Sequence, residues 1–135
     1  MGVFGGTIEI QMLCWSIVLG LLQIVVCASL STVQRGFAYN IGPRDAPQPD
    51  ANAVTCRLER ALRNFLETFP FFAAAVLVVT LLNKESETSA LGAQVYFWAR
   101  VLFVPAYGVG LPFVRTGVWT VAMIGLVMVL IAAAA

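Results

Sequence analysis

The stretch RALRNFLETFPFFAAAVLVVTLL, residues 60–82, sets two opposed chemistries into one helix's length. From Phe69 to Leu82 it is almost purely apolar, while its first part carries Arg60, Arg63, Asn64 and Glu67. At about 100° per residue, with Arg60 at 0°, Arg63 falls near −60°, Asn64 near +40° and Glu67 near −20°. The four polar residues therefore form a stripe on one face, with Leu62, Phe65 and Leu66 opposite. An arginine or carboxylate at membrane depth costs several kcal/mol unless it faces a partner or a cavity. Pro70 lies just past Glu67; it cannot donate to the carbonyl of Leu66 and is expected to kink the helix.

The rest of the chain supports a membrane setting. It has 135 residues, 60% hydrophobic and 11% charged, with a mean hydropathy of +0.88. Soluble domains carry about 25% charge. A membrane helix needs about 20 apolar residues, and four such spans consume the length. The expectation is an all-α integral membrane four-helix bundle filling residues 1–135 as one domain, with spans at about 8–33, 54–82, 91–111 and 113–135. Gly42-Pro43-Arg44-Asp45 and Pro47-Gln48-Pro49-Asp50 mark a polar first loop and forbid a long helix there. The third connection, near Gly110-Leu111-Pro112, is so short that spans three and four must be antiparallel neighbours. The N-terminus lacks a positive region and carries Glu9, so it does not read as a cleavable leader.

Orientation follows from loop charge. Arg35, Arg44, Arg57, Arg60 and Arg63 cluster around the first loop, whereas the second loop has only Lys84. The first and third connections are expected on the cytoplasmic side and both termini opposite.

Several chemistries are set aside. A net charge of +1 without a basic run gives no footprint for nucleic acid. Histidine is absent, which removes the commonest metal ligand and general base. Cys14, Cys27 and Cys56 lack C-x-x-C spacing, so no metal site or disulfide framework is implied; Cys14 and Cys27 read as small apolar residues within a span.

A second polar face lies in span three, where Tyr96, Arg100, Phe103 and Tyr107 recur at spacings of four, three and four, with Pro105 off the stripe. Arg115 opens span four. Structural roles exist for each charge: Arg60 or Arg63 can pair with Glu67 along the helix, Arg100 with Glu67 across helices, and Arg57, Arg60 and Arg63 can anchor at the membrane surface. Together the arginines exceed what one glutamate neutralises, and the surplus calls for an anionic ligand or lipid head group. Phe37, Phe65, Phe97, Phe103 and Trp119 read as packing or interface-belt residues.

Arg60-x-x-Arg63-Asn64-x-x-Glu67 followed by Phe69-Pro70 resembles the signature of the MAPEG family, membrane-associated proteins in eicosanoid and glutathione metabolism. The run Arg100-Val-Leu-Phe-Val-Pro-Ala-Tyr107, a short hairpin and Arg115 resemble that family's second motif. The likeness covers essentially the whole chain and looks closest to the bacterial branch. It implies a homotrimer in a bacterial inner membrane, with glutathione between subunits as co-substrate and transferase or peroxidase chemistry on a lipophilic small molecule. Residue by residue, it implies that Arg35, Arg60, Arg63, Asn64, Glu67, Arg100 and Tyr107 bind glutathione and that Arg115 activates its thiol. Phe103 stands where some members carry histidine, and Trp119 where others carry a tyrosine or similar contact, which leaves the reaction and second substrate open. Two other readings stand beside it: a non-catalytic protein binding anionic lipid or glutathione, and a small proton-coupled transporter using Glu9 or Glu67.

Overall fold

A computed structural model describes residues 3–135, and these are helical throughout apart from short connections. Five helices follow one another: α1 (Ile8–Arg35), α2 (Phe37–Ile41), α3 (Ala53–Leu81), α4 (Glu87–Gly108) and α5 (Pro112–Ala134). Five rather than four arise because Phe37–Ile41, flanked by Gly36 and Gly42, closes a single helical turn inside the expected first loop. Three helices, α1, α3 and α5, are long and apolar enough to cross a membrane. The expected third span, α4, carries Gln94, Tyr96, Arg100 and Tyr107 and is not among them.

Local chemistry sets the helix ends. Asn52 caps α3, its Oδ1 accepting the Thr55 N–H at 2.8 Å. Ser86 and Ser89 form a reciprocal capping box on α4, satisfying donors that a helix start otherwise leaves bare. Buried Glu9 from α1 accepts the Ser89 hydroxyl at that same end, where the helix dipole favours a carboxylate. Glu9 is thus part of the α4 cap. Residues 109–111 join α4 to α5, and Gly110 takes a φ of +77° there, which a Cβ would strain.

The interior is mainly apolar, with Met12, Phe72, Val76 and Val79 in its core, yet the outer surface is apolar as well. Leu21, Leu22, Val25, Ile124, Leu130 and Ile131 face outward, while Glu9, Ser16, Gln23, Arg35, Thr55, Thr68, Ser89 and Arg100 are buried. An outer surface this apolar is stable against lipid and a liability in water. On α1 the buried positions Met12, Ser16, Gly20, Gln23 and Cys27 follow helical spacing, so one stripe faces the bundle.

Helix α4 lies centrally, touching α1, α3 and α5, whereas α1 and α5 do not meet. Gly92 and Gly125 bring α4 and α5 together so closely that a Cβ on either would stand 2.6 Å from the other's carbonyl oxygen. Small residues at helix crossings in membranes permit this approach. Between α3 and α4 the rings of Phe72 and Tyr96 stack at 4.0 Å, and the Tyr96 hydroxyl meets Thr68 Oγ1 at 3.1 Å. Helix α3 continues through Pro70. Near it, the Thr68 hydroxyl donates to the Phe65 carbonyl at 3.2 Å.

Candidate functional site

The α3 stripe emerges as the helical spacing requires. Arg60, Arg63 and Glu67 are exposed and Asn64 is half-buried on the same face, while Phe65 on the opposite side is fully buried. Helix α4 runs beside that face and contributes Tyr107. Arg60, Arg63, Asn64, Glu67 and Tyr107 together line an open pocket of about 200 Å³.

A second cavity of about 300 Å³ adjoins it, walled by Asn64, Phe103, Tyr107, Arg115, Thr116 and Trp119. Asn64 and Tyr107 belong to both, so the two hollows abut at these side chains, and together they make up the polar cleft. The Arg115 guanidinium lies over the Tyr107 ring with its central carbon 4.8 Å from the centroid. That of Arg60 approaches the same ring from α3, at 6.0 Å. Arginines over aromatic faces are held at modest cost and keep their donors free.

Arg100 lies behind Asn64 and lines neither hollow. It is 1% exposed, and its guanidinium donates to Asn64 Oδ1 at 2.9 Å. Its central carbon sits 4.3 Å from the Phe103 centroid and 5.5 Å from that of Phe65. The expected pairing of Arg100 with Glu67 is therefore replaced by one with Asn64, the side chain nearer to its buried position. The expected staples between Glu67 and Arg60 or Arg63 do not form either. Among the described residues the only ion pair joins Arg35 to Glu59. Arg60, Arg63 and Glu67 instead line the open pocket unpaired among the described residues.

That leaves a cleft with exposed cations at Arg60 and Arg63, a third at Arg115, and one carboxylate at Glu67. Arg115 is also placed against the ordinary preference, since it occupies the first turn of α5, where the helix dipole is already positive. A cation at a helix N-terminus concentrates positive potential, which suits an anion.

Arg35 is elsewhere. Its guanidinium is clasped by both carboxylate oxygens of Glu59, one at 3.1 Å. It also donates to Ser31 Oγ at 3.1 Å and to the Pro49 carbonyl at 3.2 Å. Within one chain it ties α1, the first loop and α3 together and lines neither hollow.

Phe103 and Trp119, expected as packing or belt residues, line the cleft, and Thr116 joins them one helical step beyond Arg115. Thr116 carries no sequence signal of its own, because a threonine at a helix start is ordinarily a local hydrogen-bonding residue. Glu59, one residue before the stripe, gives no hint in the sequence of its pairing with α1. Cys14, Cys27 and Cys56 are all free thiols. Among the described residues no cluster of cysteines and carboxylates could hold a metal.

Two comparisons bear on this arrangement. The family model described as MAPEG family matches residues 12–135, nearly the whole chain. No curated protein matches it.

Proposed function

This chain belongs to the MAPEG family, which includes glutathione-dependent transferases and peroxidases, and we propose that it is such an enzyme, working at a membrane on a lipophilic electrophile. The observation that supports the reading best is the shared cleft, in which Asn64 and Tyr107 join the Arg60, Arg63 and Glu67 pocket to the cavity beneath Arg115.

The charge pattern matches glutathione, which carries two carboxylates, one ammonium and a thiol. Arg60 and Arg63 offer planar forks for the carboxylates, and Glu67 accepts from the ammonium. Asn64 and Tyr107 border both hollows, and Arg100 orients Asn64 through its hydrogen bond to Oδ1. With the peptide so held, its sulfur reaches towards Arg115. A guanidinium there stabilises thiolate, the nucleophilic form. A guanidinium offers donors and no acceptor, so its contribution is electrostatic and the thiol proton leaves to solvent. In a transferase step the sulfur lone pair forms a bond to the electrophilic carbon, and the leaving group departs with its electron pair. Phe103 and Trp119 give the second reactant an apolar approach from the lipid side.

In this reading α4 is a fourth crossing and the protein assembles as a homotrimer in a bacterial inner membrane, with the first and third connections cytoplasmic. A neighbouring subunit would complete the walls of the open cleft, and Arg35 would reach glutathione only in such an assembly. No metal takes part.

The test is glutathione binding to purified protein, by calorimetry and by thiolate absorbance near the ultraviolet edge, for wild type and Arg115→Ala. Saturable binding with a thiolate band that the substitution weakens supports the assignment. No binding, or co-purified anionic lipid that glutathione fails to displace, would overturn it.

A further inference from the structure

A second hollow lies between α1, α3 and α4 and shares no lining residue with the polar cleft. It measures about 150 Å³ and is walled by Leu19 and Val26 of α1, Leu58 of α3 and Val104 of α4, with Gln23 among them. Gln23 is 7% exposed, and neither its amide nitrogen nor its amide oxygen has a hydrogen-bond partner among the described residues. A bare amide inside a membrane helix is costly, because lipid tails offer nothing to bond. Its position four residues after Leu19 and three before Val26 puts it on the wall rather than at a helix end, where water would serve.

We propose that this hollow is a binding site for a small lipophilic molecule carrying one hydroxyl, of the phenol class. The volume is that of a single aromatic ring, as an apolar cavity near 150 Å³ accepts benzene. The walls are apolar and suit a ring. The amide presents a donor and an acceptor side by side, and a hydroxyl answers both, donating to Oε1 and accepting from Nε2. Small-molecule sites typically combine such apolar walls with very few placed polar groups. The cavity is partly open, so a ring can enter from the lipid between the helices. Nothing in this site uses the arginines of the cleft, and it stands whether or not the protein acts on glutathione.

The experiment uses the full chain in lipid nanodiscs and fluorine NMR, with 4-fluorophenol and 4-fluorotoluene as probes and empty nanodiscs as the partition control. 4-Fluorophenol should give a saturable bound signal and bind about five- to tenfold more tightly than 4-fluorotoluene, the gain of one or two hydrogen bonds. Gln23→Leu, close in volume, should erase that preference and leave 4-fluorotoluene binding unchanged. Val26→Phe should fill the hollow and remove both bound signals, which keeps the test decisive if Gln23→Leu does not fold. Equal affinity for the two probes, or binding that survives Val26→Phe, overturns the proposal. So does a fall in particle mass on Gln23→Leu, because the amide would then be bonded to a second copy of the chain.

Discussion

The guanidinium of Arg115 lies over the ring of Tyr107, 4.8 Å from its centroid. The two residues come from different helices, on either side of the turn at residues 109–111. Arg60 approaches the same ring from α3. Tyr107 thus couples the position of the cation proposed to face sulfur to the pocket proposed to hold the peptide.

Replacing Arg115 with alanine removes that cation while leaving the α3 stripe in place. The thiol pKa of bound glutathione should rise by about one unit or more, since a unit corresponds to about 1.4 kcal/mol of charge stabilisation. At neutral pH the turnover should fall roughly tenfold. Titration of the thiolate absorbance in wild type and variant measures the shift, and unchanged titration would remove Arg115 from the role.

Tyr107 separates ring from hydroxyl. Tyr107→Phe keeps the face on which Arg115 rests and should retain most of the thiolate signal. Tyr107→Ala removes the face and should lower activity about two- to tenfold through lost cation–π support. Equal losses in the two variants would show instead that the hydroxyl is what matters.

Glu67→Gln and Arg63→Ala alter exposed side chains that form no ion pair among the described residues. Each should weaken glutathione affinity about tenfold or more, the scale of one charge-assisted hydrogen bond, with little change in thermal unfolding. Calorimetry on detergent-purified protein checks the first and a melting curve the second. Unaltered affinity would withdraw the matching contact.

The pair of Arg35 and Glu59 predicts the opposite profile. The Arg35 side chain is 4% exposed and that of Glu59 26%, so removing either leaves a charge partly buried. Arg35→Leu or Glu59→Leu should each destabilise by about 1–3 kcal/mol, below the 3–5 of a fully buried pair. The double variant should recover part of that loss. Unfolding in detergent for all four proteins gives the coupling energy, and strict additivity would mean the pair contributes nothing.

Gly125→Ala tests how α5 is held. Its Cβ would stand 2.6 Å from both the Gly92 carbonyl oxygen and the Tyr96 nitrogen, which are backbone atoms. The helices must then separate, at a cost of about 1–3 kcal/mol. A lowered melting temperature with loss of the thiolate signal is expected, because α5 carries Arg115. Retention of both would show that the crossing has slack.

Much of this protein is legible in its sequence, for a physical reason. An apolar run can end only in lipid or in a core, and 60% hydrophobic residues exceed what a core of this size can hold. The helical character and the extents of α1, α3 and α5 follow from that, as does the Arg60, Arg63, Asn64 and Glu67 stripe, because helical spacing is a local property. What the sequence leaves open is every relation between helices. Glu67 takes no ion-pair partner among the described residues while Arg100 takes Asn64, and Arg35 closes on Glu59 from 24 positions away. Glu9 turns inward to cap α4, and Phe103, Thr116 and Trp119 become walls of the cleft. Those outcomes depend on how closely backbones approach, and at Gly92 and Gly125 that distance is decided by two hydrogens where other residues carry a Cβ. The stripe with which the chain announces itself is local chemistry; its becoming a cleft, with Tyr107 between Arg60 and Arg115, is the work of packing.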